Sequence, residues 1–211
     1  MPALASPVWS LLAFWGAFGL ALASPGPNFA VMLATGLREG RAQALRVAAG
    51  FGIGEAVWGG AAVFGVAALI AAHPALGTVL RVLGGAYLAW LGLNALRSAF
   101  RPAEPPPAAA PPDRGTARGV MRGLGLMLLN GKAGVFWLSL TSLILGANAP
   151  LWVGLAAVLG AVAMSLSWHV TLALAFSGGA ATRAYLRLRR WIEGALGVVL
   201  AGLGLRLITS V

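Results

Sequence analysis

Several kinds of residue that carry chemistry in proteins are scarce or missing in this chain. It has no cysteine, which excludes disulfides, thiol relays and thiolate metal sites. Charged residues make up only 9% of the 211 positions, and they include five acids and one lysine, with two histidines beside them. No stretch shows the short alternation of polar and apolar residues that a membrane-spanning strand requires, so a transmembrane barrel is excluded. The first apolar run follows neither a basic region nor a small-residue cleavage site, so it reads as a retained span rather than a signal peptide.

Apolar length dominates what remains. Hydrophobic residues are 59% of the chain and gather in runs long enough to cross a bilayer. Six spans are expected: Val8–Gly36, Ala44–Ala72, Leu76–Phe100, Gly119–Gly146, Leu151–Phe176 and Trp191–Ile208. The fold class is therefore an all-α integral membrane protein. Arginines cluster between spans one and two, three and four, and five and six, while the opposite connections hold only Arg81 and Arg206. Positive residues near span ends stay on the cytoplasmic side, which puts three basic connections inside and both termini outside. In short loops beside apolar spans, the net charge of +10 points to anionic membrane lipid and away from nucleic acid.

The stretch PAEPPPAAAPPD from Pro102 to Asp113 cannot form a helix interior, because proline lacks the donor and clashes with the preceding turn. It reads as an extended cytoplasmic linker within residues 102–118. It separates residues 1–101 from 119–211, three spans each, and an odd number of spans reverses the polarity of the second half. Two inverted three-helix repeats follow. Spans one and four each carry a polar interruption, SPGPN at Ser24–Asn28 and LNGKA at Leu129–Ala133. Broken helices are tolerated in hydrocarbon only inside the protein or around a cavity, and breaks at corresponding places in two halves point to a transporter's substrate site.

Counting about 1.5 Å per helical residue from the arginine-marked ends places Asn28, Glu55 and His169 roughly 12 to 14 Å deep, and Lys132 around 20 Å. Within a hydrocarbon core of about 30 Å, all lie near the middle. The helical face of Glu55 carries only small residues, Ala48, Gly52, Gly59 and Ala62, so Glu55 is expected to face another helix. An intramembrane carboxylate is costly and marks a functional site, here for a proton or an ammonium; a structural ion pair is the alternative. Lys132, the sole lysine, can hold an anion or neutralise Glu55. Helices restarting after Pro27 and Gly131 offer backbone donors and positive dipole ends to a carboxylate, with Asn28 and Asn130 as caps or ligand contacts. His169, near Ser165 and Thr171, serves as a proton relay or is simply satisfied by a hydroxyl. The stripe Gly197–Gly204 can pack within one bundle or between subunits. Donors for a carboxylate and one acid for an ammonium suit a zwitterion such as an amino acid.

Three segments, SPGPNFAVMLATGLREGRAQALRVAAGFGIGEAVW, LRVLGGAYLAWLGLNALRS and GLGLMLLNGKAGVFW, resemble the lysine exporter (LysE/RhtB) family of bacterial amino-acid efflux proteins. The likeness covers spans one to four; spans five and six agree in length and character. It implies an inner-membrane carrier, not an enzyme, that exports amino acids with the proton motive force and self-associates as a homodimer. The family's motifs fall on Pro25, Gly26 and Pro27 followed by Asn28, and on Asn130 and Lys132 as substrate-binding positions. Between the last two, Gly131 replaces the family's proline, so the second interruption is expected to be softer. Glu55 lies outside the transferable motif positions. No cofactor is expected. A metal-ion exporter would need several oxygen ligands, and Glu55 is the one buried carboxylate expected. A nucleophile–base constellation for an intramembrane enzyme is not evident either.

Overall fold

In the computed structural model, residues 7–24, 26–73, 75–101, 115–144, 150–176 and 179–209 are described. Pro25, the Pro102–Asp113 connection and the end of the predicted fourth span at Gly146 lie outside them. The described residues form eight helices and no strand: α1 Pro7–Ala23, α2 Pro27–Arg38, α3 Arg41–Ala72, α4 Ala75–Ala99, α5 Thr116–Leu128, α6 Gly131–Ile144, α7 Leu151–Ala175 and α8 Gly179–Thr209.

By length and composition, α3, α4 and α7 can each cross a membrane alone. The pairs α1–α2 and α5–α6 qualify as single spans bent by 51° and 58°. The sixth predicted segment, Trp191–Ile208, lies within α8, which is not among these, so up to five of the six expected spans are found among the described residues. Large apolar side chains such as Trp9, Phe64, Leu83 and Leu159 stand on the outer faces, as lipid rather than water requires.

Both breaks fall where the sequence placed them, but the second is no softer than the first. Gly131 replaces a proline without relaxing the bend because a side chain holds it instead. Asn130 stands immediately before α6 and its Oδ1 accepts the Lys132 backbone N–H at 3.1 Å, an N-cap that starts a new helix. At the first break, Pro27 opens α2 from the first helical position, where its missing donor costs nothing. The turn from α2 to α3 closes on Gly40, whose φ of +85° suits glycine and whose N–H bonds Thr35 O at 3.1 Å.

Close backbone contact holds the bundle together. The largest interface joins α4 to α8, where a Cβ on Gly92 would lie 2.3 Å from the Ala201 nitrogen and one on Gly204 2.4 Å from that of Ala89. The Gly197–Gly204 stripe thus packs within one chain. Helices α3 and α5 cross as closely, with the Val120 oxygen 2.1 Å from a Cβ placed on Gly50. On the other side of α3, the small stripe predicted beside Glu55 does face protein: Gly52 meets Leu166, and Gly59 meets Trp137 and Val158. An Arg122–Glu39 ion pair at 2.7 Å links α5 to the α2–α3 turn.

The apolar core forms two clusters, and the long helices α3 and α7 divide between them around a polar point. Cluster one takes Phe14 and Phe18 from α1, Val63 from α3, Trp137 from α6 and Ala157 from α7. Cluster two takes Phe29 and Met32 from α2, Phe51 from α3, Met127 from α5 and Leu172 from α7. Between these positions fall the two breaks, Glu55, and the Ser165–His169 turn. The α3–α5 crossing generates a direct test. Gly50→Val should cost about 1 to 3 kcal/mol or more through overpacking, seen as a lowered unfolding midpoint in detergent. Gly60→Ala, with open space around it, should leave stability unchanged or raise it by up to about 1 kcal/mol through helix propensity.

Candidate functional site

A cavity lies between the two core clusters, at the level of the breaks. Gly26, Pro27 and Asn28 line it from the first break, Glu55 from α3, Asn130 and Lys132 from the second break, and His169 from α7. Every described residue expected to bind substrate or carry a proton therefore lines one space.

The two breaks touch each other. Asn130 Nδ2 donates to Asn28 Oδ1 at 3.1 Å, while Asn28 Nδ2 contacts the Met127 sulfur at 3.0 Å. Asn28 is not a cap, as the sequence allowed: it is the second residue of α2, and no side chain caps Gly26. Side chains of other helices tie the second break to the rest of the bundle. Trp58 Nε1 bonds Met127 O at 3.1 Å, and Tyr87 OH bonds Lys132 O at 3.3 Å. Met127 O also accepts the Asn130 backbone N–H at 3.1 Å, so the indole is a second donor to it.

Glu55 is buried, 3% exposed, and both of its oxygens are engaged. Trp137 Nε1 donates to Oε1 at 2.5 Å, and Ser165 Oγ donates to Oε2 at 3.2 Å. One helical turn further along α7, His169 Nδ1 lies 2.8 Å from Ser165 O and 3.3 Å from Ser165 Oγ. The His169 ring packs against Phe51 with centroids 4.8 Å apart. A hydrogen-bonded chain thus runs from Trp137 through Glu55 and Ser165 to His169. Thr171 does not join it; its hydroxyl bonds Ser167 O on an exposed face.

Lys132 and Glu55 share the cavity without forming an ion pair; the ion pairs among the described residues are Arg122–Glu39 and Arg189–Glu193. The Lys132 ammonium instead approaches the first break, 3.4 Å from where a Cβ on Gly26 would stand. Gly26 has extended backbone, so closeness rather than conformation is what a side chain there would disturb. Both α2 and α6 start at this cavity and bring the positive ends of their dipoles to it. Phe18, Phe136 and Trp168 supply an apolar wall.

Trp137 and Trp58 were not singled out from the sequence, although a buried indole N–H must find an acceptor and each is the natural search target once a carboxylate or broken helix is known. Glu193 was missed as well. It is 2% exposed, so Glu55 is not the only buried carboxylate. Among the described residues no three His, Cys, Asp or Glu side chains gather as a metal site.

Two broken helices meeting at one buried cavity, within an all-helical body of apolar outer faces, are consistent with an integral membrane protein. The chain belongs to the LysE type translocator family, whose profile matches residues 19–211. The likeness therefore extends through α7 and α8, beyond the spans where the sequence motifs were most evident. Over 196 residues it is 35% identical to the threonine efflux protein of Escherichia coli (strain K12), covering 90% of this chain and 93% of that one. The threonine efflux protein of Salmonella typhi is 35% identical over 198 residues, with the same coverage. The leucine efflux protein of Enterobacter sp. (strain 638) is 32% identical over 207 residues, covering 94% of this chain and 96% of that protein. No solved structure matches the chain.

The Asn130 cap can be separated from the Asn130–Asn28 bond by substitution. Asn130→Ala should lose the cap and the bond, at least about 1 kcal/mol, and lower the thermal midpoint in detergent. Asn130→Ser, which keeps a capping oxygen, should fall between Asn130→Ala and the parent protein.

Proposed function

We propose that this protein exports amino acids, neutral ones or close derivatives, across the bacterial inner membrane by proton-coupled alternating access. The observation that carries this reading is the division of charge around one cavity. Two helix N-termini and the Lys132 ammonium offer a place for a carboxylate, while Glu55 on α3 offers one for an ammonium or a proton. Phe18, Phe136 and Trp168 suit an uncharged side chain. Relatives named for threonine and leucine efflux agree with such a substrate.

In this reading residues 1–101 and 119–211 are inverted repeats joined by a cytoplasmic linker at 102–118, with both termini outside. The cavity loads from the inner side, the halves rock, and the amino acid leaves outward while a proton moves inward. The break residues Pro25, Gly26, Pro27 and Asn28, with Asn130 and Lys132, hold the substrate carboxylate. Glu55 takes the ammonium or the proton, and His169 continues the proton path through Ser165, which bonds both residues.

The test is efflux of a panel of labelled amino acids from preloaded proteoliposomes, with and without an imposed proton gradient. Selective, gradient-stimulated loss of one class is expected; no efflux from folded protein would overturn the reading. Glu55→Gln should lower gradient-driven efflux about tenfold or more, the weight of one charge-assisted contact, with insertion retained. Unchanged transport at every pH would remove Glu55 from the mechanism. Lys132→Ala should abolish efflux while the protein still assembles, and full activity would leave Lys132 a structural residue.

A further inference from the structure

A second cavity lies on the far side of the first break. Ser24, Gly26, Pro27 and Lys132 line it as they line the first, so these residues form a wall between the two spaces. Its other side is built by α4, from Trp90 through Asn94 to Ser98, and by Glu193 of α8. Trp90 to Ser98 is eight residues, about 12 Å of helix. Ser98 stands beside Arg97 and Arg101 at the end of α4, and Glu193 follows the arginines of α8, so the cavity leads from the arginine-bearing end of the bundle to the break.

Glu193 is half satisfied. Arg189 Nε donates to its Oε1 at 2.7 Å, and Arg189 Nη2 is itself tied to Ser98 Oγ at 2.9 Å. The second carboxylate oxygen, Oε2, is buried and receives no hydrogen bond from any described residue. A buried acceptor left open is costly; Glu39, paired with Arg122, leaves its Oε2 open too but lines neither cavity, and that sets Glu193 apart. Here a cavity adjoins the residue that carries the open oxygen, and the cation across that cavity is Lys132.

We infer that the Glu193 cavity is a loading station for the ammonium end of an amino acid, from which the substrate passes across the Ser24–Pro27 wall to the Glu55 cavity. The inference rests on the amino-acid reading above. Lys132 lines both spaces and can keep hold of the substrate carboxylate while the ammonium leaves Glu193 for Glu55. Asn94 and Ser98 supply polar contacts on the way in, and Trp90 and Leu91 an apolar side.

Sided transport tests this. Vesicles are sorted by protease access to the 102–118 connection, so that labelled threonine and leucine can be offered from the arginine-bearing face or from the opposite one. Glu193→Gln should raise KM about tenfold from the arginine-bearing face and leave it unchanged from the other, as loss of one charge-assisted contact predicts. Glu55→Gln should raise KM from both faces. Competition by the corresponding 2-hydroxy acids, which lack the ammonium, should be equal in the parent protein and in Glu193→Gln. A KM unchanged from the arginine-bearing face, or raised equally from both, would overturn the station while leaving the Glu55 site standing. A parent protein that moves neither amino acid would overturn both. If Glu193→Gln does not fold, Asn94→Ala probes the same cavity away from the ion pair; it should raise KM from the arginine-bearing face only, and an unchanged value overturns the station.

Discussion

A peptide group in hydrocarbon has no water to bond, and the structure depends on how two helix breaks meet that constraint. The Asn130 carboxamide does most of this. One end caps the new helix at Lys132, and the other donates to Asn28 across to the first break. Trp58 from α3 and Tyr87 from α4 add hydrogen bonds to the Met127 and Lys132 carbonyls. Because partners come from several helices, the breaks can exist only where those helices converge, and that convergence is what creates a cavity rather than a pair of isolated kinks.

The two apolar clusters follow from the same geometry. Glu55 lies between Phe51 and Val63 on α3, and Ser165 and His169 lie between Ala157 and Leu172 on α7, so each long helix is apolar at both ends of its buried stretch and polar in between. Small residues let α3 approach α5, α6 and α7 closely enough for Glu55 to find Trp137 and Ser165 at hydrogen-bond distance. Packing and site chemistry are thus one arrangement: remove the glycines and the carboxylate loses its donors.

Much of this was legible in the chain because it depends on local signals. Pro27, Gly26 and Asn130 mark breaks whatever surrounds them, and the Ala48–Ala62 stripe shows which way Glu55 must face. What could not be read depends on partners far along the sequence. Trp137 is 82 residues from Glu55, and Ser165 is 110. The sharpness of the second break was misjudged because backbone propensity at Gly131 is weaker than proline's, whereas the bend is held by a neighbouring side chain. Nothing local marks Glu193 as buried; the packing of α8 on α4 does that, with Arg189 bonding Ser98 across 91 residues.

The bends at the two breaks, similar in angle, differ in how they are held. At the first, Pro27 removes a donor and fills space by covalent structure, so an uninterrupted straight helix there costs about 3 kcal/mol or more. At the second, every residue from Leu129 to Lys132 has its N–H, and the bend persists through one carboxamide that can exchange partners. One bend is therefore permanent and the other conditional. Of the two bends, it is the one between α5 and α6 that can straighten without breaking a covalent rule.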